Sequence, residues 1–329
     1  MAHNLTDGVN TTGTTNIHIL LYLYPFFSAV TFAECVLAGY ITALSHDLRE
    51  RLSSWFLSSL IVSIGIFSSL SFVYAIVLIA HPDVHHSSPA GCQVKLVQRY
   101  LSTVSCFTLT CLALDRYVAI CWPLRYYNIL TIRRCRLLCV ACWMLPLVLL
   151  VLPCASVLST LCNPGNDKEF LIAYSVAYVF GALTTFVFYI LVALEFRLKS
   201  RVQPHDSNAD MTEAMVRHKT AKSALQVFMF YILLSLPHAL LPLMFRFLRK
   251  ENTGPWLVVV GHLGHLVHRL HLLLFLPMYA LANVSFFTSL KAIGQHLWRT
   301  VACGSSGQRQ RQGPPKENSF ALETTVGEF

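Results

Sequence analysis

The stretch that decides the fold runs from Trp55 to Ala80 and reads WFLSSLIVSIGIFSSLSFVYAIVLIA. It contains 26 residues without a single Asp, Glu, Lys or Arg. At about 1.5 Å per residue in a helix, such a run crosses a hydrocarbon core of about 30 Å with some tilt. Because lipid offers the backbone no hydrogen-bonding partner, the segment must satisfy its own N–H and C=O groups as an α-helix.

Six further segments repeat this pattern. Two of them are equally free of charged residues, a third contains only His238 as a titratable group, and the others carry a few ionisable side chains. The six are Ile17–Leu44, Leu96–Leu114, Leu137–Leu161, Phe170–Leu194, Ser223–Phe245 and Pro255–Phe287. The sequence therefore predicts an all-α integral membrane protein, a bundle of seven transmembrane helices.

The composition of the chain excludes the main alternatives. Hydrophobic residues make up 55% and charged residues 12% of the 329 positions, whereas a soluble domain has about 25% charged residues. So few charges exclude two soluble domains, and so much apolar sequence excludes a disordered protein. The 11 cysteines are too few and too scattered for a small disulfide scaffold.

The positive charges predict the orientation in the membrane. Seventeen Lys and Arg residues fall in the segments after spans one, three and five and in the tail, against five on the other side. This bias predicts a multi-pass plasma-membrane protein with its N-terminus outside and its C-terminus inside. We therefore attribute the net charge of +9 to attraction for membrane lipids and not to nucleic-acid binding.

Three regions follow from this topology. Residues 1–16 form an extracellular N-terminus with glycosylation sequons at Asn4 and Asn10. Residues 17–302 form the seven-helix domain with a short juxtamembrane helix, and residues 303–329 form a disordered cytoplasmic tail. Cys303 is a candidate for palmitoylation, although an unmodified tail cysteine is an equal alternative.

One motif carries a family resemblance. Residues 112–126, at the inner end of span three, read LALDRYVAICWPLRY. This stretch resembles the signature of rhodopsin-like (class A) G-protein-coupled receptors, in the version found in odorant (olfactory) receptors. The overall pattern is similar to a divergent, fish-type member of that family.

The resemblance implies a function for the inner end of the bundle. Asp115 would hold the Arg116 guanidinium until the helices separate and Arg116 meets a heterotrimeric G protein, with a stimulatory (olfactory) α subunit expected. Tyr117, Pro277 and Tyr279 would belong to the same activation switch. The alternative is an Asp–Arg pair that only caps a helix at the lipid headgroups.

The chain also departs from the family pattern. Span one lacks the usual Asn, and Ser63 and its neighbours stand where span two normally carries an Asp, so no sodium pocket is expected. Span seven has Leu276-Pro277-Met-Tyr279 in place of Asn-Pro-x-x-Tyr. The tyrosine is displaced by one position, which is about 100° around a helix.

The resemblance further implies a disulfide from Cys92 at the outer entry of span three. Its expected partner is Cys162, with Cys154 as the alternative. The oxidising compartment on that side of the membrane permits such a bridge.

A small-molecule ligand is expected between the outer halves of the helices. Spacing places four candidates on one face of span three, although Arg99 could instead reach the lipid headgroups. The candidate pocket residues are Arg99, Ser102, Thr103, Cys106, Tyr178, Tyr231, His238, His265 and Arg269.

Histidines recur every third residue in span seven, at His262, His265, His268 and His271. They could line the pocket, pack against neighbouring helices, or contribute to a metal site. We expect no metal and no cofactor.

The leading hypothesis is an odorant-like receptor. Alternatives are a non-olfactory class A receptor, a receptor-like protein with impaired signalling and, less favoured, a transporter. The chain lacks the inverted repeats of transporters and the common hydrolase motifs, so we expect no enzyme activity.

Overall fold

A computed structural model shows how these segments are arranged. It describes residues 11–46, 52–80, 89–151, 168–202, 256–282, 286–292 and 294–295, together with isolated positions between 230 and 244. The described residues divide between two compact units, Met1–Ser289 and Leu290–Phe329. All helices discussed below belong to the first unit.

Long helices occupy six of the seven predicted spans, and the span Ser223–Phe245 is described only at isolated helical positions. A short 3₁₀ turn (Pro123–Arg125) and a one-turn helix (Tyr126–Ile129) connect the third helix to the fourth. The helical positions within 230–244 are named α6. The others are α1 (Thr11–Leu44), α2 (Ser53–Ala80), α3 (Pro89–Cys121), α4 (Ile132–Val151), α5 (Lys168–Val202) and α7 (Trp256–Ala282).

The helix bounds agree with the predicted spans except at some ends. Helix α1 begins at Thr11, so residues 11–16 of the predicted N-terminal region are helical. Helices α3 and α5 also extend beyond the apolar cores of their spans, since helical hydrogen bonding continues past the hydrocarbon layer. Within the described residues, four segments are long and apolar enough to cross a membrane: Leu23–Leu44, Ser53–Ala80, Gly91–Cys121 and Phe170–Glu195.

The bundle is apolar on the outside. Large apolar side chains such as Val36, Val73 and Val176 are exposed on the outer helix faces, and their exposure to water would be unfavourable. Small polar side chains lie inside: Ser63, Ser71, Thr103, Thr108 and Thr185 are all buried. This distribution fits a protein whose solvent is lipid.

Several buried hydroxyls find a partner within their own helix. Thr42 donates to the carbonyl of Ala38, Ser105 to that of Leu101 and Thr108 to that of Val104, at 2.8–3.0 Å. Each bond runs to the residue one turn earlier, so it needs no neighbouring helix. The hydroxyl groups are therefore compatible with the membrane interior before the helices associate.

Helix α3 lies at the centre, in contact with α2, α4 and α5. Polar bonds join it to each of these neighbours: Ser63 Oγ lies 2.9 Å from Ser105 Oγ, Tyr100 donates to the carbonyl of Trp143 at 3.0 Å, and Thr110 Oγ1 lies 2.8 Å from Thr185 Oγ1. Helix α1 packs on α2 and α7. Ser175 links α5 to α6 by donating to the carbonyl of Ala239 at 3.0 Å.

Gly181 permits the close approach of α5 to α3. A Cβ atom at this position would lie 2.9 Å from Cys106 Sγ and 3.0 Å from the Phe107 ring. Gly39, in contrast, faces Ile61 with ordinary van der Waals room of 3.8 Å.

We therefore expect Gly181→Ala to destabilise the protein, by about 1–3 kcal/mol, as overpacking does in other cores. Gly39→Ala is the matched control, because its new methyl group meets no close neighbour. The melting temperatures of the purified proteins in detergent would be compared. Equal melting temperatures for the two variants would contradict this account of the α3–α5 contact.

Candidate functional site

Asp115 is the most deeply buried acid among the described residues and both of its oxygens are occupied. It is 1% exposed near the end of α3. Its Oδ2 lies 3.7 Å from Nε of Arg116, and its Oδ1 accepts a hydrogen bond of 2.7 Å from the hydroxyl of Tyr126. We call these three residues the Asp115 clamp. The Arg116 side chain remains 30% exposed, so the clamp is open to the surface on one side.

Pro123 explains how Tyr126 returns to Asp115. Helix α3 ends at Cys121, and the proline starts the 3₁₀ turn at a position where its missing N–H costs no helical bond. The N–H of Tyr126 then donates to the carbonyl of Pro123, which reverses the chain. Arg134 fixes the following one-turn helix by donating from Nη1 to the carbonyl of Ile129 at 2.7 Å.

The phenol of Tyr126 is a stable donor. Burial, and then the neighbouring Asp115 carboxylate, raise the pKa of Tyr126 well above its ordinary value, because both disfavour a phenolate. A raised pKa means that the bond contributes stability below the ordinary phenol pKa and loses it only as the pH rises toward the raised value. The clamp therefore keeps this donor throughout the neutral range.

Two further tyrosines surround Arg116. Tyr189 of α5 and Tyr279 of α7 are both buried and lie close enough to interact electrostatically with its guanidinium. Tyr279 reaches this position although it is displaced by one residue from the family pattern. Its ring stacks on Phe275 and meets Phe286 edge-on, at centroid distances of 6.2 and 6.0 Å.

The other two predicted switch residues lie apart from the clamp. The ring of Tyr117 contacts Trp122 at 5.4 Å and Phe188 of α5 at 5.8 Å, so it packs away from Asp115. Pro277 lies within α7 with an exposed ring. It acts on the backbone of the helix and contributes no polar group to the site.

Sequence reasoning missed one surface feature beside the clamp. Leu124 is 97% exposed in the 3₁₀ turn, and Trp122 and Tyr127 on either side are also exposed. Tyr126, which sequence analysis quoted only as part of the motif, is the inward residue.

The predicted pocket residues do not all converge. Cys106 and Tyr178 lie together in a buried cluster with Tyr174, Phe170 and Leu150. Thr103 is buried and donates to the carbonyl of Arg99. The Arg99 guanidinium lies 5.9 Å from the centroid of the Phe170 ring, at the edge of the same cluster.

Arg269 and His265 face elsewhere. Arg269 donates to Ser28 Oγ and lies 5.2 Å from the centroid of the Tyr24 ring, so it belongs to the contact between α7 and α1. His265 is exposed. Tyr231 and His238 lie outside the described residues.

A small cleft with a volume of about 10 Å³ lies among α2, α3 and α7. Its lining is Ile64, Phe67, Ser102, Ser105, His268 and Leu272. Ser102 is the one predicted pocket residue in this lining. The volume is below the roughly 300–1,000 Å³ of ordinary small-molecule sites, so the helices must separate to admit a ligand of usual size.

The described histidines of α7 differ in environment. His268 and His271 are buried with ring centroids 5.7 Å apart, and His268 also meets Phe67 edge-on at 5.5 Å. A step of three residues turns the helix by about 300°, which carries His265 to the exposed side. No group of three metal-binding side chains occurs among the described residues. The side chain of His262 is not among them.

Cys92 is disulfide-bonded. Its pairing with Cys162 stays a prediction, because Cys162 and Cys154 lie outside the described residues. The same holds for the sequons at Asn4 and Asn10 and for Cys303.

The bundle and the clamp define the class of the protein. Residues 35–270 match the family described as "7 transmembrane receptor (rhodopsin family)". Because the match covers most of the chain, the protein belongs to this family. It is a seven-helix, multi-pass plasma-membrane receptor and not an enzyme.

Within that family the chain is similar to olfactory receptors. It is 32% identical to the human putative olfactory receptor 10D4 over 127 residues, which are 38% of this chain and 42% of that protein. It is 44% identical to human olfactory receptor 11G2 over 76 residues, 23% and 22% of the two chains, and 41% identical to mouse olfactory receptor 6E1 over 72 residues, 22% and 23%. The chain thus matches less than half the length of each of these relatives.

The Asp115–Tyr126 bond predicts a stability difference between two neighbouring tyrosines. We expect Tyr126→Phe to lower the free energy of unfolding by about 1.5–3 kcal/mol, as for other hydrogen bonds to charged groups. Tyr127→Phe is the control, because Tyr127 is 76% exposed and its variant likewise loses only a hydroxyl. Melting temperatures in detergent provide the measurement, and an equal decrease in both variants would refute the role of Tyr126.

Proposed function

We propose that this protein is an odorant-like chemosensory receptor. It binds a small molecule in the outer half of the helix bundle and activates a heterotrimeric G protein at the inner face. The similarity to olfactory receptors supports this choice over a non-olfactory receptor of the same family. By the same resemblance the expected partner carries a stimulatory α subunit.

The observation that carries the proposal is the Asp115 clamp. Asp115 holds Arg116 at the end of the central helix, where three tyrosines from the 123–129 turn, α5 and α7 lie within electrostatic range of the guanidinium. A small displacement of α5 or α7 would change the surroundings of Arg116. The clamp thus makes the accessibility of the Arg116 guanidinium depend on the relative positions of the helices.

The surface next to the clamp fits a protein partner. Leu124 presents almost its whole side chain, and Trp122, Tyr127 and Ile132 are exposed nearby. Apolar and aromatic groups of this kind act as anchors in interfaces, and the arginines around them favour an acidic partner surface. We assign this surface to the G protein.

Ligand entry requires the outer halves of the helices to adjust. The cleft next to Ser102 and His268 is a starting point, and the cluster around Tyr178 borders α3 on the other side. A ligand that widens this region would bind the open arrangement more tightly than the closed one. Such differential affinity is what shifts a receptor toward its signalling state.

The orientation and the three regions are part of the same proposal. Residues 1–16 would lie outside with glycans on Asn4 and Asn10, and residues 303–329 would lie inside. Arg125, Arg133 and Arg136 at the clamp end of the bundle agree with the cytoplasmic placement of that end.

The signalling role of the clamp can be tested in cells that carry a cAMP reporter. We expect Arg116→Ala to abolish basal and odorant-evoked cAMP, because it removes the cation offered to the G protein. Asp115→Asn should raise basal cAMP, because it releases Arg116 from its counter-charge. Lys95→Ala, which replaces a cation at the opposite end of α3 from the proposed docking surface, is the control.

Surface expression would be measured for every variant. An Arg116→Ala variant that reaches the surface and signals like the unmodified chain would refute the proposal. An unmodified chain that reaches the surface but gives neither basal nor evoked signal would favour the receptor-like alternative, to which the missing Asn and Asp of spans one and two already point.

The docking surface predicts a separate effect for Leu124. We expect Leu124→Ala to reduce the cAMP response about tenfold, because burying a leucine in an interface contributes about 1.5–3 kcal/mol. Leu137→Ala is the control, since Leu137 is also exposed but lies on α4. Equal responses from the two variants would exclude this surface as the docking site.

A further inference from the structure

Two cysteines of neighbouring helices are in direct contact. Sγ of Cys111 on α3 lies 3.4 Å from Sγ of Cys142 on α4. Neither residue belongs to the Asp115 clamp, to the cleft or to the extracellular disulfide. The pair therefore has no role in the function proposed above.

The surroundings of the two thiols differ. Cys142 is buried against Phe107 and Ala177, whereas Cys111 packs at the edge of that cluster and keeps part of its surface exposed. A small membrane-soluble reagent would therefore reach Cys111 first. Cys142 would be held in place as the second reactant.

Two more cysteines lie along α4 toward the clamp. Cys139 precedes Cys142 by three residues and Cys135 precedes Cys139 by four, so the three share one face of the helix. Cys135 is buried and interacts electrostatically with Asp115. Of the cysteines on this face, Cys142 is the one with a described hydrogen bond to Cys111.

We propose that Cys111 and Cys142 form a redox modification site, at which a membrane-permeant hydroperoxide converts the two thiols into a disulfide between α3 and α4. The sulfur atoms must approach by roughly 1.4 Å to reach the disulfide length of about 2.05 Å. Rotation of two short side chains supplies a movement of this size, so the helices need little adjustment.

The reaction balances in two steps. The sulfur of Cys111 attacks one oxygen of the hydroperoxide, the O–O bond breaks, and the thiol proton passes to the departing oxygen, giving a sulfenic acid and an alcohol. The sulfur of Cys142 then attacks the sulfenic sulfur, and the hydroxyl leaves as water with the Cys142 proton. Two thiols are oxidised by two electrons and one hydroperoxide is reduced.

The disulfide would act on the helix that carries the clamp. Arg116 follows Cys111 by five residues, about 7.5 Å along α3. A covalent bond at Cys111 would fix this part of α3 against α4, the helix whose Cys135 lies beside Asp115. Oxidation would thus restrict the movement of the clamp relative to one of its neighbours.

The test uses the full-length receptor in isolated cell membranes treated with tert-butyl hydroperoxide. Remaining thiols are alkylated, the protein is digested, and the peptides are analysed by mass spectrometry with and without dithiothreitol. We expect a peptide pair joined through Cys111 and Cys142, two hydrogen atoms lighter than its parts and separated by the reductant. Cys142→Ser should abolish this species, and Cys139→Ser, the matched control, should retain it.

The peptide analysis tests this proposal independently of any signalling assay. Oxidation that gives sulfenic or sulfinic acid at Cys111 with no joined peptide would overturn it, as would a joined peptide containing Cys139. If Cys142→Ser fails to reach the membrane, the unmodified chain still tests the proposal. Disulfide formation requires that the alkylated forms of Cys111 and Cys142 decrease in parallel as the hydroperoxide is added. Loss of one thiol alone would refute the site.

Discussion

The absence of water in the membrane interior governs every polar group of this protein. A hydroxyl in lipid must be satisfied by the protein itself, and several serines and threonines are satisfied by the carbonyl one turn earlier in their own helix. Small polar side chains of this kind face inward and allow helices to approach closely. Helix α3 lies at the centre and carries the longest continuous run of buried residues in the described part of the chain, 101–109.

Asp115 is the polar group that is hardest to satisfy in an interior without water. A carboxylate has no proton to donate to a helix carbonyl, so a chain that buries one here must bring donors to it. The 3₁₀ turn at Pro123 brings Tyr126, and the adjacent residue supplies Arg116. The turn, the one-turn helix and the Arg134 contact that fixes it are therefore consequences of a single buried acid. The same turn leaves Leu124 exposed, so the geometry that satisfies the acid also creates the candidate docking surface.

Sequence reasoning was most successful where one physical rule acts alone. Apolar length predicted the helices at residues 53–80 and 170–194 because lipid permits no other structure there. The motif around Asp115 predicted the ion pair because its two members are adjacent in sequence. The fold class is confirmed by the helices and by the family match.

Sequence reasoning was least successful for residues whose surroundings depend on the packing of several helices. Periodicity placed Arg99, Ser102 and Cys106 along α3, but packing alone decided that Cys106 would meet Tyr178 and that Ser102 would line the cleft. The one-residue offset turns Tyr279 about 100° around the helix from its usual place in the family, so the sequence alone left its approach to Arg116 open. The structure brings the two within electrostatic range, because the path of α7 and its contacts with Phe275 and Phe286 set the direction of the ring.

The hydroxyl pair of Ser63 and Ser105 has a consequence for membrane voltage. A full charge that moves across the membrane responds to its potential by about 2.3 kcal/mol per 100 mV. Where α2 meets α3, this chain places two neutral hydroxyls 2.9 Å apart. Hydroxyls carry no net charge, so a rearrangement confined to this pair moves no charge through the electric field. The Ser63–Ser105 pair itself therefore gives the α2–α3 contact little sensitivity to membrane voltage.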